Sequence, residues 1–259
     1  MNPPQQISRV TSYQSWAMLC REINSDAVKS RSFRENRYAF NHRLASRLVE
    51  NLPERGLDQV IYAVHLTGDH PRPAYLGTST GGHRRLWDLP VGESHHLSNT
   101  YPPETWERVQ ILHWRQVLDR EGFDLRALEA QVAEHYPAKP GEALKLIGMG
   151  IEFMFQTETM PELNVRIKLG GGGFREVGLG RSGSRQALIA GRWMKPIFPL
   201  LLDYWMRLQA EAGAYSGPAM HTQTGSVVFP AFIAGKWSGN RDTPGPIPRR
   251  AWPPVFRTP

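Results

Sequence analysis

Three short apolar runs constrain the fold most: QVIYAVHL (59–66), AYLGTS (74–79) and WERVQILHW (106–114). Each is too short for a stable helix and rich in β-branched or aromatic residues, so each reads as a strand. TGDHPRP between the first two is turn chemistry, which makes them neighbours in a sheet. GGHRRLWDLP (81–90) suits a helix that begins after its glycines. DLRALEAQVAEHY (124–136) is a second helix, with Asp124 as N-cap and Leu125, Leu128 and Val132 as its apolar stripe. The order strand, strand, helix, strand, helix defines a small α/β unit over residues 59–141.

The flanks read differently. Residues 12–50 are helical in pattern, in SWAMLCREI and AFNHRLASRLVENL, and NLPERGLD (51–58) marks a boundary, so 1–58 form a helical N-terminal arm. Beyond residue 141, LKLIGMGIEFMF and LNVRIKLGGGGF are expected to be strands, and KPIFPLLLDYWMRLQAEAG a helix starting near Pro199. The heptapeptides ALIAGRW (187–193) and AFIAGKW (231–237) nearly coincide, but two such matches are too short to define a repeat. Residues 142–240 are expected to form a basic region of β-rich or mixed structure. Residues 241–259 are a proline- and arginine-rich tail without periodicity.

Composition excludes several functions. Among 259 residues Cys20 is the sole cysteine, so neither a disulfide within the chain nor a cysteine-built zinc site is available. No apolar run approaches the roughly 18–20 residues that cross a bilayer. MNPPQQISRVTSYQSW lacks a signal-peptide core, and a cytoplasmic protein without a membrane partner is expected. The net charge of +7 divides unevenly: +3 over 1–58, −2 over 59–141 and +6 over 142–259. Basic ends around an acidic middle suit a polyanion bound across a carboxylate-bearing site; simple solubility gives the same totals.

The middle unit resembles the GIY-YIG nuclease family. VIYAVHL stands at the first half-motif, with Tyr62 as its tyrosine and Val60 where the family has glycine. AYLG stands at the second, with Tyr75 and Gly77, and Arg85 follows Tyr75 by ten residues in YLGTSTGGHRRL. ALEAQVAEHYPAKPG resembles the closing helix, which puts Glu129 at the metal-binding glutamate. The asparagine that often follows that helix is replaced by Pro140 and Gly141. GESHHL offers His95 and His96 for the family's histidine; the residues do not separate them, and His96 is slightly preferred.

The resemblance implies hydrolysis of phosphodiesters. Glu129 would hold one Mg²⁺ or Mn²⁺, an ion that keeps most of its waters and completes its shell with phosphate. Arg85 would grip a phosphate oxygen with its planar fork. Tyr62 would position or deprotonate the attacking water beside Tyr75, with His96 as proton shuttle or phosphate contact. Gly77 would let the backbone turn tightly beside the phosphate. Arg84, Arg166, Lys168, Arg175, Arg181, Arg185, Arg192 and Lys195 then form a candidate surface for double-stranded DNA. GGGGF lacks the lysine-serine/threonine step of a nucleotide-triphosphate loop.

The resulting expectation is a sequence-specific, restriction-type endonuclease, and cutting both strands with one site per chain would favour a homodimer. A non-cleaving DNA-binding module of the same fold, a nuclease toxin of low specificity and an unrelated basic α/β protein are the alternatives.

Overall fold

A computed structural model of the chain describes residues 27–66, 72–91, 97–98, 101, 103–135, 142–168, 174–176 and 193–234, with backbone alone at 27–36, 165–168, 174–176 and 234. The centre is a five-stranded sheet in the order β2-β1-β3-β7-β6, antiparallel throughout. Its strands are β1 (Val60–Leu66), β2 (Tyr75–Ser79), β3 (Trp106–Leu112), β6 (Ala219–Thr222) and β7 (Gly225–Val228). The three strands expected from 59–114 are present, and helices flank the sheet on both faces.

Every residue of β1 is buried, because the strand lies between β2 and β3 and is covered on both faces. Val60, Tyr62 and Val64 point to one face, where Phe40, Leu44 and Leu48 of α1 (Ala27–Val49) and Leu86 and Leu89 of α2 (Gly82–Val91) cover them. Ile61 and Ala63 point to the other, beneath α3 (Trp114–Arg120), α4 (Leu125–His135), α5 (Glu142–Thr159) and α7 (Phe198–Gly213). A strand buried on both faces reads as a continuous apolar run, which is why VIYAVHL does not alternate.

α4 matches its expected span, and Asp124 Oδ1 accepts the Ala127 N–H at 3.0 Å as an N-cap should. α7 also begins beside Pro199 as expected.

LKLIGMGIEFMF is helical, not a strand: it lies within α5. Ile147, Ile151 and Phe155 recur every four residues and form one buried face. Gly148, which interrupts a strand-like apolar run, serves close packing instead. A Cβ at Gly148 would stand 3.3 Å from Thr78 Oγ1, so the glycine lets α5 settle onto β2.

LNVRIKLGGGGF is only partly extended. Its start belongs to a short helix, α6 (Glu162–Val165), before β4 (Arg166–Lys168) pairs with β5 (Phe174–Glu176) in a separate two-stranded ribbon. A final short helix, α8 (Pro230–Ala234), covers the start of AFIAGKW. The central sheet runs across the compositional change at residue 141: β6 and β7 come from beyond it, β7 pairing with β3 and β6 with β7. SWAMLCREI, most of ALIAGRW and the tail lie outside the described residues.

No described helix is long and apolar enough to cross a membrane.

His65 faces Arg108 across the β1–β3 ladder, and its Nε2 has no hydrogen-bond partner among the described residues. Burial, reinforced by the Arg108 charge, pushes its pKa down to about 3. The imidazole is therefore neutral in the fold, while the unfolded chain takes up a proton below about 6.5. Stability is retained above that pH and falls as pH drops from about 6.5 towards 3. Thermal melts across this range should show His65→Leu losing less stability than the parent as pH falls, because the variant lacks this contribution. An unchanged slope would contradict this account.

Candidate functional site

Four chemically active side chains converge at the edge strand β2. Tyr62 comes from β1 and Tyr75 from β2, on the same face of the sheet. They are diagonal rather than opposite partners, since Tyr62 pairs with Gly77 and Val64 with Tyr75. The rings lie 6.1 Å apart at 39°. Arg85 reaches them from α2, donating from Nε to the Tyr62 hydroxyl at 2.8 Å and hydrogen-bonding Tyr75 as well.

The start of α2 fixes Arg85. The Asp58 carboxylate accepts the His83 N–H at 2.8 Å, and its backbone carbonyl accepts the Gly82 N–H at 3.0 Å. A residue from the loop before β1 thus supplies the acceptors that the first turn of a helix lacks. Gly82 is required for this approach: a Cβ there would stand 2.4 Å from the Asp58 carbonyl oxygen.

Gly77 has a steric role. It lies within an extended strand, so it forms no tight turn. A Cβ at this position would fall 2.7 Å from the Tyr62 hydroxyl and 2.9 Å from Tyr75 Cε1. The missing side chain is the space in which the two phenols meet.

The carboxylate of the cluster is Glu152, on α5. Burial raises its pKa to about 7, against the lowering effects of Arg85 and a hydrogen bond from Gln156 Nε2 at 2.8 Å. Its charge in turn acts on both phenols. Glu129 does not occupy this position. It is partly buried on α4, which packs chiefly against α3 and α5, and it is not among the charges acting on Tyr62, Tyr75 or Arg85. The helix that packs against β2 is α5, one helix later than the one that carries Glu129.

Neither phenol is poised to ionise. Burial, with the neighbouring Tyr75, raises Tyr62 well above 10, and the Arg85 cation does not reverse this. Tyr75 is raised too, by burial and then by Glu152. Burial works against charge on Arg85, but the two hydroxyls outweigh it, so the guanidinium stays charged. Tyr62 is fully enclosed, whereas Tyr75 retains 7% exposure. Arg85 and Glu152 are the partly exposed members of the cluster.

The β2 edge is closed by α6. Asn164 accepts the Leu76 N–H at Oδ1 and donates from Nδ2 to the Leu76 carbonyl, both at 2.8 Å. The Leu163 N–H adds a bond to the Ala74 carbonyl. Asn164 lies in LNVRIKLGGGGF, whose sequence pattern reads as a strand, so nothing in the sequence singles out this capping role.

The remaining expected residues are dispersed. Arg84 is exposed on α2, 3.9 Å from Asp88, and Lys195 is exposed before α7. Arg166 and Lys168 are backbone positions of β4, and Arg175 of β5. His95, His96, Arg181, Arg185 and Arg192 lie outside the described residues.

No family model, curated protein or solved structure matches the chain.

Gly77→Ala should force the phenols apart at a cost of about 1–3 kcal/mol, typical of overpacking. Chemical denaturation measures that loss. An alanine variant as stable as the parent would show that the space beside Tyr62 is not filled as described.

Proposed function

We propose that the chain is a metal-dependent DNA endonuclease of GIY-YIG type, with a restriction-type enzyme as its setting. The observation that carries this reading is the convergence of Tyr62, Tyr75, Arg85 and Glu152 at one sheet edge. Phosphodiester hydrolysis needs a positioned water, a cation facing the phosphoryl oxygens and a metal ligand; these side chains can supply all three.

The donor set fits one hard, hydrated ion. Among the described residues no group of three or more His, Cys, Asp or Glu side chains could form a closed metal cage. A single carboxylate suits Mg²⁺ or Mn²⁺, which retains waters and shares the substrate phosphate. Glu152 would hold it, and the bound ion would supply Lewis acidity and a more acidic water. Arg85 would hold a phosphate oxygen with N–H groups beyond those on the phenols. Tyr75, the phenol that retains 7% exposure, would orient the attacking water through its neutral hydroxyl. Tyr62 would fix the Arg85 fork from below. The basic ribbon and the exposed Arg84 would meet DNA backbone, and two copies would cut both strands.

The raised phenols favour a second reading, a module that grips phosphate without cleaving it, because a neutral tyrosine is a poor base.

Incubation of the protein with supercoiled plasmid and Mg²⁺ or Mn²⁺ tests both. Glu152→Ala and Arg85→Ala should each lower cleavage by about 10²–10³, the usual loss for a removed transition-state contact. Glu129→Ala should leave cleavage intact. Discrete products mean sequence reading and a smear means low specificity; DNA retarded but intact means the non-cleaving module. Full activity in Glu152→Ala would overturn the assignment of the carboxylate.

A further inference from the structure

Gln156 is an unusual occupant of its position. It is fully buried on the face of α5 that carries Ile151 and Phe155 into the core, where an apolar side chain would pack without desolvating an amide. Its Nε2 donates to Glu152 Oε1 at 2.8 Å and lies 3.4 Å from the Leu76 carbonyl. Glu152 and Gln156 are four residues apart, stacked on one helix face, so the amide meets the carboxylate without distorting the helix.

The two contacts are unequal. The Leu76 carbonyl already has a donor at 2.8 Å, the Asn164 amide, which also satisfies the Leu76 N–H. The edge of β2 is therefore held without Gln156. The short bond goes to Glu152, and the long one ties the same amide to the residue between Tyr75 and Gly77. The side chain spans the gap between the carboxylate's helix and the strand that carries Tyr75.

We infer that Gln156 is a positioning residue, whose buried amide fixes the Glu152 carboxylate towards the Tyr75–Arg85 pair and thereby sets the affinity of a divalent cation there. The inference rests on the nuclease reading for the identity of that cation. It goes beyond that reading in assigning a residue that touches neither metal nor substrate. Partners that orient a ligating side chain are typically worth about 10–100-fold in metal affinity.

The test is Mn²⁺ binding to the full chain, read from the loss of free-ion signal in electron spin resonance, beside the metal dependence of plasmid cleavage. Gln156→Met keeps length and apolar bulk but removes the donor. It should weaken Mn²⁺ binding by about 10-fold or more. The metal concentration for half-maximal cleavage should rise in step, with the rate at saturating metal largely kept. Gln156→Asn keeps an amide with shorter reach and should fall between the two. It also serves as the readout if Gln156→Met does not fold. Thermal melts without metal separate folding from positioning. Equal Mn²⁺ affinity in the parent and in a folded variant overturns the role of Gln156 and leaves the nuclease reading standing. A parent chain that neither binds Mn²⁺ nor cleaves overturns that reading, and this inference with it.

Discussion

An edge strand presents backbone groups that must be paired or wetted, and the outward peptide groups of Leu76 set this requirement for β2. Asn164 meets it with both ends of one amide, standing in for a sixth strand. That closure holds α6, and the end of α5 before it, beside the strand. Glu152 consequently lies near enough for its charge to act on Tyr75, which is adjacent to Leu76 in the chain. The same contact that protects the sheet from further pairing builds the carboxylate side of the site.

The opposite side is built by close approach. Gly82 lets the start of α2 reach the Asp58 carbonyl, and Gly77 lets the Tyr62 ring lie over β2. With these two places empty of Cβ atoms, Arg85 and the phenols share one small volume. Burial there has a clear electrostatic consequence. It disfavours every charged form, so the phenols stay neutral and Glu152 rises to about 7, while Arg85 remains the fixed cation.

Local pattern made much of the fold legible. The three strands of 59–114, the helix at Leu125–His135 and the helix beginning beside Pro199 follow from run length, β-branching and capping, which are short-range signals. The pairing of Tyr62, Tyr75 and Arg85 was also legible, because all three lie within 24 residues joined by a turn and a helix start. Glu152 was not. GMGIEFMF combines glycines with a dense apolar run and resembles a strand until the four-residue step of Ile147, Ile151 and Phe155 is weighed. Nor was the β6–β7 hairpin, whose short strands carry little periodicity of their own.

The sequence alone determined the elements of the central unit and three of its four clustered side chains, since neighbours in the chain are governed by local sterics and turn chemistry. The tertiary structure decided which carboxylate joins them. Glu129 and Glu152 both sit on amphipathic helices after β3, and nothing in either local pattern says which helix will lie along β2. That choice comes from long-range packing: Gly148 against Thr78, and Asn164 against the open edge at Leu76.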